Sequence, residues 1–275
     1  VPKHGARSRH PKPGKDEQEG DLTTASSTKY EGMIAETVRF PGNKGETISG
    51  YVARPLGAGP FPGVVVVHEA FGLVPHTKEL ARKFAAAGYL AVAPDLYSRI
   101  NAPDPADMRS VIQAMGGLAD SQAIGDMEGA AGYMKSQPSF NGKMGCIGHC
   151  SGGRHTLLFA CNTKSLNAAV DCYGGRVVVE QSELTPTMPK GVSDMVGDLN
   201  CPLLGLFGEA DRNPSPDHIV KLEDALKRAR KTYEFKSYKA PVGHGFFADY
   251  RPSYNQEAAV DGWDKIFAFF GKNLH

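Results

Sequence analysis

An apolar run at 144–147 leads directly into Gly148-His149-Cys150-Ser151-Gly152, and a helix-like segment follows. A strand that turns into a helix within so few residues strains the backbone at the apex. It also brings the two elements close, so the apex needs small neighbours. Gly148, Gly152 and Gly153 meet that need. The pattern constrains the chain to a sheet with helices packed on it, and it sets a thiol where a turn of this kind presents a nucleophile. The helix N-terminus behind Cys150 supplies N–H groups and partial positive charge that suit an anionic sulfur. Free cysteines are more often small buried hydrophobes, and with 32 glycines in 275 residues a G-x-C-x-G string arises easily by chance. The thiol has to be judged by its partners.

The rest of the chain repeats the strand–helix scheme. Residues 36–40 and 46–54 read as an antiparallel pair around the turn Pro41-Gly42-Asn43. The run Gly63-Val64-Val65-Val66-Val67-His68 has the signature of a central strand buried on both faces. A helix at 77–87, a strand at 90–94, a helix at 121–135 and a strand at 143–147 follow. After the elbow come a helix at 152–161 and a strand at 167–173, then a strand at 202–208 and a helix at 216–228. A strand at 232–239 and a helix at 254–273 close the chain. Such alternation implies an α/β fold, a mostly parallel sheet covered on both faces by right-handed crossovers. The polar stretches 98–120 and 176–200 read as loops able to roof a pocket. The division is an N-terminal polar, basic arm over 1–28 and one domain over 29–275.

Thirty-one basic residues against 30 acidic ones leave a net charge of +1, which gives no footprint for nucleic acid. The longest apolar runs are far too short to span a bilayer. Five cysteines without paired C-x-x-C spacing suggest neither a zinc site nor a disulfide framework, so no metal or other cofactor is expected and a reducing compartment is the simpler reading. The expectation is a cytoplasmic protein, with a processed exported one left open. The arm carries five Lys or Arg before its first acid, Asp16. It reads either as a solvated tail or as a segment that packs on a neighbouring subunit in a homodimer.

In an open α/β sheet, functional residues collect beyond the carboxyl ends of the strands. Asp211 follows the strand at 202–208, and His244 follows the strand at 232–239. The order nucleophile, acid, histidine is that of the α/β-hydrolases. His244 would take the thiol proton and return it to the leaving group, while Asp211 would fix its tautomer. An oxyanion hole would use the N–H groups of Ser151 and of Ala70, in the loop after the four-valine strand. Glu69 in the same loop is either a salt-bridged structural carboxylate or a gate that competes with His244 for Cys150.

Together these residues resemble the dienelactone hydrolases, or carboxymethylenebutenolidases. The similarity covers roughly residues 35 to 272. It is carried by Val64 to Gly72 (VVVVHEAFG), Ala93-Pro94-Asp95-Leu96-Tyr97, Asn141-Gly142-Lys143, GHCSGG at 148–153, Gly208 to Asp211 and Gly243-His244-Gly245. The resemblance implies the α/β-hydrolase fold and a triad of Cys150, Asp211 and His244. It also implies a glutamate at Glu69 that interacts with the resting thiol, and Arg99 as a binder of substrate carboxylate. Tyr97 and Phe71 are carried over as further substrate contacts. The family's second carboxylate-binding arginine lies shortly after the histidine, but here Gly245-Phe246-Phe247-Ala248 fills that span and the first arginine is Arg251, which either takes that substrate-binding place through a longer loop or binds surface carboxylates. His149 and Ser151 flank the thiol where bulkier residues are common, and Cys172 stands where an aromatic residue often lines the pocket.

The expected activity is hydrolysis of lactones or small carboxylic esters through a thioester at Cys150. Arg99 makes acidic substrates the first expectation. A thiol-dependent acyltransferase or peptidase of the same fold is the second, told apart by whether an acceptor other than water speeds turnover. A redox-sensing, non-enzymatic homologue is the third, told apart by the absence of a product burst with p-nitrophenyl acetate.

Overall fold

Every residue of Phe61–Val67 (β3) is buried, and its valines divide between two cores. Val65 and Val67 face one apolar layer, Val64 and Val66 the other, as the period of two in a strand requires. A side chain of this size contributes about 2 kcal/mol when buried in full, so the strand is anchored on both faces. This computed structural model describes residues 32–100 and 102–275. The arm at 1–28, and with it the dimer contact expected there, lies outside the described residues.

The strands are Met33–Pro41 (β1), Thr47–Pro55 (β2), β3, Leu90–Pro94 (β4), Phe140–His149 (β5), Ala168–Cys172 (β6), Leu203–Gly208 (β7) and Tyr233–Tyr238 (β8). They form one sheet of eight in the order β1-β2-β4-β3-β5-β6-β7-β8. β1 pairs antiparallel with β2, and β2 antiparallel with β4, while β3 to β8 run parallel to their neighbours. The early antiparallel pair and the parallel remainder agree with the sequence pattern. Strand ends move by three residues or fewer.

Helices Pro75–Ala86 (α1) and Gln256–Leu274 (α6) cover the face of Val64 and Val66 through Leu80, Phe84, Ile266 and Phe270. The opposite face carries Met108–Gly117 (α2), Asp120–Lys135 (α3), Ser151–Asn162 (α4) and Pro216–Arg228 (α5), through Ala114, Met127, Leu157 and Leu222 among others. Local chemistry starts several of them. Ser215 Oγ accepts from the His218 N–H at 3.3 Å with Pro216 at the first helical position, and Asn255 Oδ1 accepts from the Ala258 N–H at 3.0 Å.

One expectation is overturned. The 98–120 stretch is not an open loop, because α2 occupies its centre. The Asp107 carboxylate accepts from the Arg109 N–H at 3.0 Å and caps the helix. Val111, Ala114 and Leu118 then turn inward at helical spacing. The 176–200 stretch is irregular as expected, with two short 3₁₀ turns at Gln181–Glu183 and Val192–Asp198.

Candidate active site

Cys150 stands at φ 57° and ψ −124°, between the end of β5 and the first residue of α4. A side chain rarely tolerates that conformation, and the elements around it hold it there. The Cys150 N–H donates to the Cys172 carbonyl of the neighbouring strand at 3.1 Å. A Cβ at Gly148 would overlap the Gly152 carbonyl, and one at Gly152 would press on the carbonyls of Val67 and His68. Glycine is required at both positions by close approach.

Asp211 and His244 meet at the same end of the sheet, three residues past β7 and six past β8. His244 Nδ1 donates to Asp211 Oδ2 at 2.8 Å, and Cys150 acts electrostatically on the same ring. Asp211 is itself fixed, since its Oδ1 accepts from the Asn213 N–H at 2.9 Å. Burial pulls the His244 ring towards neutrality, but the hydrogen bond to Asp211 and the electrostatic influence of Cys150 and Asp211 outweigh it and raise the ring to about 10. Cys150, Asp211 and His244 all line one cavity of about 850 Å³.

The loop after β3 is held from behind. His68 Nδ1 donates to the Glu69 carbonyl at 2.6 Å, while its Nε2 accepts from the Leu96 N–H at 3.1 Å. Those two bonds fix one neutral tautomer, and burial lowers the basicity of the ring accordingly. Tyr97 donates its hydroxyl to the Ala70 carbonyl at 3.3 Å, and its ring packs on His68 at 4.9 Å. The Ala70 carbonyl is therefore turned towards Tyr97, and among the described residues its N–H has no hydrogen-bond partner. Ser151, the first residue of α4, lines the cavity beside Cys150.

Glu69 is buried and paired. Its Oε2 accepts from Arg251 Nη2 at 2.9 Å and from the Tyr250 hydroxyl at 3.4 Å, while its Oε1 has no partner. Arg251 also lies over the Phe71 ring, 4.7 Å from its centre. Phe71 and Arg251 line a second cavity of about 530 Å³.

The substrate contacts read from the sequence need correction. Arg99 does not line either cavity. Its guanidinium is spent on Asp126, with bonds of 2.7 and 3.0 Å, and on Glu46. The pair fastens α3 to the β1–β2 turn, where Asp126 Oδ1 also accepts from the Asn43 N–H at 2.8 Å. Tyr97 is buried beneath the loop and positions Ala70; it does not line the cavity. Cys172 is buried in β6, and His149 fills an apolar niche among Tyr173, Phe247 and Trp263. Neither ring nitrogen of His149 has a partner, and burial pushes that ring down to about 3.

Two features of the site were not anticipated. Arg154 and Asp120 form a buried two-bond ion pair at 2.7 and 2.8 Å on the cavity wall, and the Asp120 N–H donates to the Thr187 carbonyl at 2.8 Å. This joins α4, α3 and the 176–200 stretch, and the separation of 34 residues between the partners left no local signal. The Tyr173 ring meets His244 edge-on, 5.1 Å between centres, from a backbone at φ 43°. Among the described residues no group of three or more His, Cys, Asp or Glu is arranged to hold a metal ion, and no helix is long and apolar enough to cross a membrane.

The sequence profile of the dienelactone hydrolase family matches residues 48–274. A Methylorubrum extorquens protein named as a carboxymethylenebutenolidase is 37% identical over 90% of this chain and 84% of its own length. One of the same name from Escherichia coli K12 is 34% identical, with 90% of each chain covered. A crystal structure from Klebsiella pneumoniae bearing the name dienelactone hydrolase is 36% identical and superposes with a TM-score of 0.81, covering 88% of this chain and 99% of that one. The sheet order and these likenesses agree: the chain belongs to the dienelactone hydrolase family and is a carboxymethylenebutenolidase-like hydrolase with the α/β-hydrolase fold.

Proposed function

We propose that this protein hydrolyses lactones or small carboxylic esters through a covalent thioester at Cys150, with His244 as the proton carrier and Asp211 as its anchor. The observation that carries the reading is the convergence on one cavity of Cys150, at a strained elbow, and the hydrogen-bonded pair Asp211–His244. The sulfur attacks the ester carbonyl, and the carbonyl oxygen gathers negative charge against the N–H groups of Ala70 and Ser151. As the C–O bond breaks, the His244 imidazolium gives its proton to the leaving alkoxide or enolate. Neutral His244 then takes a proton from water, and the hydroxide attacks the thioester. The acid is released and the proton on His244 again faces the sulfur, so the net change is ester plus water to acid plus alcohol. Glu69, paired with Arg251 in the resting site, is read as a carboxylate that reaches the thiol once that pair opens.

A thiolate is a better match for activated esters and lactones, whose leaving groups are stable anions, than for amides. That favours hydrolysis of esters over peptidase action. Hydrolysis of a panel of p-nitrophenyl esters and a dienelactone by the wild type and by Cys150→Ala is the test. The reading expects a burst of p-nitrophenol in the wild type and a loss of at least a thousandfold in the variant. Undiminished turnover in Cys150→Ala would sink it.

A further inference from the structure

Helix α2 is apolar on more than its packed side. Val111 and Ala114 face the core, but Met108, Ile112 and Met115, spaced four and three residues apart, leave the protein surface exposed to 57%, 65% and 37%. Three such side chains in one stripe have an unfavourable contact with water unless something covers them. Ile112 and Met115 line the triad cavity, together with Leu118 after the helix and with Pro186 and Met188 from the 176–200 stretch. One wall of the space in front of Cys150 is thus built of apolar groups from two separate segments.

The two aspartate charges in that cavity's wall, those of Asp211 and Asp120, are engaged in pairs. Asp211 is paired with His244, and Asp120 with Arg154 in two bonds. Arg176 donates to the neutral Glu183 carbonyl at 3.1 Å and Arg212 is exposed, and among the described residues neither guanidinium has a carboxylate partner. Arg99, the arginine expected to hold a substrate carboxylate, is bound to Asp126 and Glu46, and Arg251 is bound to Glu69. Neither lines this cavity. Its volume of about 850 Å³ lies in the upper part of the range of ~300–1,000 Å³ found for drug-sized ligands.

We propose that the wall of Ile112, Met115, Leu118, Pro186 and Met188 is the specificity site of this hydrolase, and that it takes the apolar portion of a medium-chain or aryl ester. The assignment rests on Cys150 being the acyl acceptor at the same cavity. It makes apolar bulk a recognised feature of the substrate.

The test separates binding from chemistry. Cys150→Ala protein is titrated with p-nitrophenyl acetate, butanoate and hexanoate. Burial of each methylene should lower Kd about fourfold. Ile112→Asp in the same background changes an exposed residue, so folding is spared, and it should abolish the dependence on chain length. A flat series or an unaltered slope in Ile112→Asp would overturn the proposal. Wild-type turnover of the same esters reads the chemistry independently. A steep binding series without any turnover would support the wall and sink the thioester mechanism.

Discussion

Arg251 Nη2 donates to Glu69 Oε2 at 2.9 Å, and this bond ties the loop after β3 to the segment following His244. The Glu69 side chain is only 3% exposed, so the guanidinium is its main compensation. Arg251→Met strands a buried carboxylate and should cost about 3 kcal/mol, read as a fall in Tm of roughly 8 °C. Combining it with Glu69→Gln should recover most of the loss. A single variant that melts with the wild type would remove the pair from the stability account.

Arg99 should behave as a structural residue. Asp126 is fully buried, and Arg99→Ala leaves it facing only the Asn43 N–H, at a cost of about 3 kcal/mol. Urea denaturation measures that loss. The ratio of kcat/KM for an acidic ester to that for a neutral one of equal length should stay within a factor of two of the wild-type ratio. A selective collapse on acidic esters would restore Arg99 to substrate binding.

Cys150 holds a positive φ that glycine adopts freely. Alanine keeps the strain and glycine releases it, so Cys150→Gly should be more stable than Cys150→Ala by about 1 kcal/mol. That order is the reverse of the usual one. Both variants should lose the burst with p-nitrophenyl acetate. Equal or inverted stabilities, measured by chemical denaturation, would show that the elbow is not strained.

His244 should carry a proton at neutral pH and lose it near pH 10. Its folded value lies above the ordinary one, so the bound proton stabilises the fold fully below about pH 6.5. This contribution fades as the pH climbs towards 10. Asp211→Asn removes one of the main supports and should move the titration back towards the ordinary value. Imidazole NMR across the range reads both titrations, and a wild-type ring already neutral at pH 7 would contradict the arrangement.

The parts of this molecule written in local sequence were legible, and those made by distant contacts were not. β3 announces itself because four consecutive valines suit no other position, and the elbow because its glycines stand where close approach demands them. The strand ends then bring Asp211 and His244 to Cys150 without further information. Arg99 resembles a binding arginine in its sequence setting, whereas its bonds to Asp126 on α3 are made only by the fold. Helix α2 was hidden by prolines before it and glycines at its end, although Asp107 and the spacing of Val111, Ala114 and Leu118 held the signal. The Arg154–Asp120 pair joins elements with no sequence relation, and only the fold reveals it.

Cys150, Asp211 and His244 lie at the ends of β5, β7 and β8, whereas the apolar roof comes from α2 and the 176–200 stretch, which contribute none of the three. On the proposed reading, reaction and preference are inherited through different lengths of chain. Insertions, deletions or exchanges in the roof can retune what is accepted while the hydrolytic machinery passes unchanged from one descendant to the next.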